Sequence, residues 1–190
     1  MTLKDLVIKN RSFRAYDESF KFTEDDMREF VELCRYCATS GNQQALKFYI
    51  AWERDEVDAI AKCTHWGKDR PYPGINPSGF IVILQDNDID KRAWAWWRDA
   101  GIAAQTILLH AAERGLGGLM IGSFDKKPLR DVTKLADNLK ILLVVAIGKP
   151  TEGSVLEDMG EDGSTLPYRD ENGVTHVRKR LLDDLIVKRG

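Results

Sequence analysis

Two groups of cations stand near opposite ends of the sequence. Arg11 and Arg14 follow the first short apolar pattern, and Arg178, Lys179 and Arg180 lie close to the other end. Guanidinium forks match phosphate oxygens two at a time, so the groups could converge on one phosphate if the fold brings them together. The plainer alternative is two solvated faces. Other reactive side chains are sparse. Cys34 and Cys37 have redox-pair spacing, but they fall inside a helical pattern rather than at the exposed helix start that lowers a thiol pKa, so packing is their expected role. Cys63 and His65 form one ligand pair with no second pair at usable spacing, which argues against zinc. His110 lies in an apolar helical run and His176 beside the basic segment, neither with a sequence neighbour suited to a hydrolytic triad. Gly115-Leu116-Gly117-Gly118 follows a helix and opens a strand, the reverse of the dinucleotide-binding order, and no triphosphate-cradling loop occurs. No catalytic side chain and no metal site is expected.

The elements that must position these residues follow from periodicity. A short helix ends near Lys9, and Thr23 caps a second whose acidic first turn complements its dipole and which runs to about Ala38. Thr39 to Gln44 is a polar loop, Lys47 to Trp52 a strand, and Glu53 to Cys63 a helix. Gly67 to Gly79 holds Pro71, Pro73 and Pro77 and is expected to be irregular, a lid or substrate-facing segment. Phe80 to Leu84 reads as a buried strand. The long helix from about Lys91 to Arg114 carries a seam, Trp94, Trp97, Gly101, Ala104, Leu108, Ala111 and Gly115, whose small residues admit a close neighbour. Gly117 to Ile121 is a short strand, Asp125 to Leu135 a helix, and Ile141 to Gly148 a second buried strand. From Pro150 to about Thr175 little periodicity survives, which suggests a poorly structured tail. Leu181, Leu182, Leu185 and Ile186 then make an apolar patch that a second subunit could cover. Helices mixed with buried strands imply an α+β or three-layer α/β fold.

The chain has 190 residues and a net charge of −2, enough to bury a core and without the basic footprint of a nucleic-acid binder. Three cysteines suit a reducing compartment, and the first residues lack signal-peptide grammar, so a cytoplasmic protein is expected. The longest apolar helical run, Ala100 to Ala112, falls short of the roughly 20 residues a membrane span needs.

Four segments, taken in order, resemble the FMN-dependent nitroreductase family: Arg11-Ser12-Phe13-Arg14-Ala15-Tyr16; Thr39 to Phe48 with its Asn42-Gln43-Gln44; Asp99-x-Gly101-x-Ala103 through Gly115-Leu116-Gly117; and Val177 to Ile186. The resemblance implies a three-layer α/β/α fold, a central mixed sheet flanked by helices, in a single domain spanning 1–190. It also implies a domain-crossed homodimer with FMN at the interface and a C-terminal segment, about 150–190, reaching onto the partner. Carried over residue by residue, Arg14 would stand by flavin N1 and the C2 carbonyl, where negative charge gathers on reduction. Arg11, Ser12, Lys179 and Arg180 would hold the phosphate and ribityl end. Asn42 and Gln44 would bond the pyrimidine edge, and the backbone of Met120, Ile121, Gly122 and Ser123 would line N5. NADH or NADPH would deliver hydride, and a nitroaromatic, quinone or similar small acceptor would remove it in a ping-pong cycle. A non-redox sensor, carrier or flavin-breakdown protein on the same fold is the alternative. Three departures stand out. Asn10 replaces an arginine, Ala45 replaces a proline after Gln44, and Arg178 replaces a proline in the tail, where it is expected to restore the missing charge.

Overall fold

The computed structural model describes residues 1–66 and 76–187, side chains 93 and 94 apart, so most of the proline-rich stretch falls outside the described residues. The chain forms two compact units, Met1–Pro150 and Thr151–Gly190.

The first unit is organised by its two most apolar runs. Gly79–Asp86 (β2) and Leu139–Gly148 (β4) pair antiparallel, and each is too apolar throughout to leave a face wet. Successive side chains of a strand point to opposite faces, so Ile81, Ile83, Leu142, Val145 and Ile147 enter one core while Phe80, Val82, Leu84, Val144 and Ala146 enter the other. Each such side chain taken out of water contributes about 1.5–3 kcal/mol. Leu46–Ala51 (β1) and Gly117–Ile121 (β3) are the outer strands, in the order β1-β2-β4-β3. All three pairings are antiparallel, and the parallel component of this sheet is a single bridge from Ser12 to Gly118.

Helices cover both faces and complete the three layers. Glu24–Glu32 (α2) and Ala93–Glu113 (α4) supply Met27, Phe30, Ala100, Ala103, Ala104 and Ile107 to the first core. Arg54–Lys62 (α3) and Lys126–Thr133 (α5) supply Val57, Ile60 and Leu129 to the second. Leu3–Lys9 (α1) opens the chain with a capping box between Thr2 and Asp5, and a second box joins Thr23 and Asp26 at α2. Bonds from the Thr23 backbone and hydroxyl, with Arg114 added, hold the Asp26 carboxyl down at about 2. The helix expected to reach Ala38 instead tightens into a 3-10 turn at Leu33–Tyr36. At the end of α4, Gly115 adopts φ +77° while its N–H and that of Leu116 bond back to Ala112 and Ala111, which closes the helix where only glycine is unstrained. The α4 seam divides: Ala104, Leu108 and Ala111 are buried, whereas Trp97 is 61% exposed and Trp96 takes the core position. No helix among the described residues is long and apolar enough to cross a membrane.

The stretch expected to be poorly structured is a small sheet. Ser154–Asp158 (β5), Tyr168–Arg169 (β6) and Thr175–Lys179 (β7) pair in the order β5-β7-β6, followed by Leu182–Leu185 (α6). Its signal was missed because polar side chains hold it together. His176 lies between Glu157 (3.0 Å) and Asp170 (3.4 Å) and stacks on Tyr168 at 4.6 Å. Arg178 bonds Glu157 and Asp162 and sits 5.1 Å over the same ring. The Glu157 bond pulls the His176 pKa above 6.5, and the bonds received by Glu157 and Asp170 draw their carboxyls below 4.5 and 3.8. The histidine contribution is complete below pH 6.5 and disappears as pH rises through the raised value, while the carboxylate contributions disappear as pH falls through the lowered ones. Hydrogen-exchange protection of β7, corrected for intrinsic rates, should therefore peak at mildly acidic pH, and H176Q should abolish the alkaline decline.

Candidate functional site

The opening arginine segment is docked on the edge strand β3. Phe13 N–H donates to the Gly118 carbonyl (3.0 Å) beside the Ser12 bridge, and Phe13 Cδ2 occupies the space that a side chain on Gly117 would need. Beyond β3, residues 123–125 are clasped by residues 63–66. His65 N–H donates to the Ser123 carbonyl (2.9 Å), Asp125 N–H donates to the Cys63 carbonyl (2.8 Å), and Thr64 bridges Phe124. Arg14 Nε donates to the carbonyl of Trp66 (3.3 Å), closing the circuit. The chain thus gathers Arg11, Ser12 and Arg14 with Met120, Ile121, Gly122 and Ser123 around one edge of the sheet. Gly122 and Ser123 are exposed, and a Cβ on Gly122 would meet open space.

Arg11 supplies the clearest sign that this edge takes a ligand. Its Nη2 donates to the Val7 carbonyl (2.7 Å), but its Nε is buried without an acceptor among the described residues. Burial also lowers its pKa. A buried N–H with no partner costs about 1–3 kcal/mol, and an anion would relieve it. Ser12, exposed next to it, adds a hydroxyl.

Asn42 and Gln44 lie elsewhere. They precede β1, whereas Ser123 follows β3, and these are the opposite outer strands, roughly 14 Å apart across three strand spacings. The register puts both loops at the same end of the sheet, since Leu46 reaches Lys140 through Gln85 and Ile121 pairs with Val144. One chain does not bring them together. The loop itself is held firmly: Asp99 on α4 accepts the Ser40 N–H with both carboxylate oxygens at 3.1 Å, and Arg92 reaches the Ser40 carbonyl at 3.4 Å. Asn42 and Gln44 have φ of 53° and 51°, conformations uncommon away from glycine that the anchors sustain. Replacing Asp99 by alanine should cost about 1–3 kcal/mol through the orphaned Ser40 amide. Thermal unfolding would show that loss, and selective broadening of the amides of residues 40–44 would show the loosened loop.

The second unit presents Lys179 and Arg180 as exposed side chains with no hydrogen bond or ion pair among the described residues. Arg178 is different. Its Nε and Nη1 pair with Glu157 and Asp162, so two carboxylates already offset its charge within the small sheet. Asn10 instead closes α1, its N–H bonded to the Leu6 carbonyl at 2.9 Å. Cys34 is core, its thiol pushed up by burial to about 12, and Cys37 meets Thr106 at 3.2 Å. His110 packs edge-on against Phe30 with Glu29 and Glu113 beside it.

Known proteins share this sequence pattern and fold. The family model described as Nitroreductase family matches residues 7–149, three quarters of the chain. The chain belongs to the nitroreductase family. A relative from Archaeoglobus fulgidus, provisionally named NADH dehydrogenase/NAD(P)H nitroreductase, is 24% identical over 152 residues, 77% of this chain and 84% of its own. Among solved structures, a nitroreductase family protein from Streptococcus pneumoniae TIGR4 superposes with a TM-score of 0.71 at 16% identity, covering 99% of this chain and 100% of that one. A Clostridium difficile R20291 protein titled FMN-dependent nitroreductase gives 0.67 at 21% identity, covering 80% and 90%. These likenesses establish the nitroreductase fold, and the match to Streptococcus pneumoniae extends over the C-terminal unit as well.

Within this nitroreductase, two contributors escaped the residue reading. Trp66 receives Arg14, and Asp99 anchors the Asn42 loop. Asp99 stood within a quoted motif but without a role, and Trp66 was given none. Nothing in sequence marks a backbone carbonyl as the partner of an arginine 52 positions away.

Proposed function

We propose that this nitroreductase is an FMN-dependent oxidoreductase that passes reducing equivalents from NADH or NADPH to a nitroaromatic, quinone or similar electron-poor acceptor. The observation that carries the reading is the buried, acceptor-less Arg11 Nε next to Ser12, on the same sheet edge as the exposed Gly122 and Ser123. The donor set fits the flavin: cations and a hydroxyl for phosphate, a guanidinium for the pyrimidine end, and uncrowded backbone for a flat ring. The named relatives, an NAD(P)H nitroreductase and an FMN-dependent nitroreductase, support it.

When bound, FMN would supply the redox chemistry, that of hydride transfer. Arg11 and Ser12 would hold phosphate oxygens, and Lys179 and Arg180 are the further cations that we assign to a phosphate. Arg14, oriented by the Trp66 carbonyl, places positive charge where the flavin gathers negative charge. The backbone of Met120 to Ser123 would line the reactive edge of the flavin. Because two strands separate Asn42 and Gln44 from that edge in their own chain, these residues reach the flavin from the second subunit of a homodimer, whose interface also covers the exposed Leu182, Leu185 and Ile186.

The test is direct. Purified protein should be yellow or become so with FMN, and NADH or NADPH should bleach it until a nitroaromatic or quinone restores the colour. A colourless protein that cannot be reconstituted with FMN refutes the reading.

A further inference from the structure

His65 is placed unlike its neighbours. Thr64 and Trp66 are buried on either side of it: Trp66 Nε1 donates to Thr64 Oγ1 (2.6 Å), Thr64 Oγ1 donates to the Ala61 carbonyl (2.8 Å), and the indole packs edge-on against Tyr16 and Phe80. From this rigid platform only the imidazole turns outward. Its Nε2 lies 3.1 Å from Asp125 Oδ1, with both side chains 54% exposed. Asp125 opens α5 as its N-cap residue, a position where a carboxylate normally accepts a backbone N–H of the first turn, yet it makes no such bond and faces His65 instead. The backbone of His65 is bonded to Ser123, and the next carbonyl holds Arg14. Among titratable neighbours are Asp125, Arg14 and Cys63, whose thiol is pushed up by burial.

We propose that His65 is the proton donor of the acceptor half of the reaction, held in one tautomer by Asp125 beside the segment that lines N5. This rests on the function proposed above. A nitro group that receives a hydride and one proton loses water and becomes a nitroso group: the hydride carries both electrons, and the proton comes from His65 Nδ1. Asp125 accepts from Nε2–H before and after the transfer, so the neutral imidazole keeps its orientation, and exposure lets solvent reprotonate Nδ1. A half-exposed carboxylate–imidazole pair adds little stability.

The experiment compares the parent, H65Q and D125N holoproteins. With p-nitrobenzoate as probe, stopped-flow reoxidation should slow about 100-fold in H65Q, the usual contribution of a positioned acid. It should lose its dependence on pH and recover with added free imidazole. D125N should fall between, and bleaching by NADH should remain within twofold in all three. Independently of turnover, the His65 imidazole signal, identified among three histidines by its absence in H65Q, should shift when oxidised FMN is added to the apoprotein. Parent-like reoxidation and pH dependence in H65Q, or an imidazole signal indifferent to FMN, overturns the role while leaving the flavin reading intact. A parent that takes up no FMN removes both.

Discussion

Alanine at position 118 should destabilise the protein by about 3 kcal/mol, the upper range for forcing atoms into a filled interior. At this chain length that lowers Tm by roughly 6–12 °C. The added Cβ would stand 2.2 Å from the Ala146 carbonyl oxygen and 2.5 Å from Leu108 Cδ2. Leu108 can rotate aside, but the carbonyl belongs to β4 and is fixed by its ladder with β3, in which Gly118 pairs with Ile147 and Leu119 with Ala146. Relief therefore requires β3 to lift from the sheet. That movement would also carry away the opening segment, because Phe13 donates to Gly118 and Ser12 bridges it. Flavin uptake should fall together with stability. Gly122→Ala is the control for unfolding temperature, since its Cβ enters open space at a backbone angle that any residue tolerates. Calorimetry that places G118A within a degree of the parent would contradict the close approach of β3 to β4.

Arg14→Ala should weaken FMN binding about 10- to 100-fold, the equivalent of one charge-assisted hydrogen bond of about 1.5–3 kcal/mol. The loss has two parts. The variant removes the cation proposed for the electron-rich end of the reduced flavin, and it releases the Trp66 carbonyl that orients the opening segment against residues 63–66. Arg14→Lys should recover only part of the affinity, because an ammonium restores the charge but cannot bond the carbonyl through Nε while offering a planar fork to a ligand. Arg14→Ala should also be harder to reduce than the parent, since a cation near N1 favours the reduced form, whereas Arg14→Lys keeps that charge. Quenching of flavin fluorescence in an apoprotein titration measures the affinity. An unchanged Kd in R14A would remove Arg14 from the binding site.

Much of the architecture was legible because its signals are local. The capped start of α2, the glycine exit of α4 and the apolar runs of β2 and β4 all lie within a few residues of the structure they specify. β3 was found at Gly117–Ile121 with both ends as expected. The small C-terminal sheet was not, because its strands are short and their partners polar. Tyr168, His176 and Glu157 reveal nothing as neighbours in sequence and stack or bond only once β5, β6 and β7 are paired.

The site divides along the same line. Residue types nominated Arg11 and Arg14, and the order of four segments carried the family resemblance, which in turn supplied Ser12 and Met120 to Ser123 as candidates. Which of these share an edge, which atom lacks a partner and which residues stand behind them depended on pairings that span the chain: Arg14 to Trp66 over 52 positions and His65 to Asp125 over 60. Capping, turn chemistry and hydrophobic period act through bonds a few residues long, so the sequence by itself determined most elements of the first unit and their layering. Burial and hydrogen bonding between distant segments exist only after collapse, so tertiary structure alone decided that Arg178 pairs with Glu157 and Asp162, that Asn42 and Gln44 face a different edge from Ser123, and that His65 turns outward next to it.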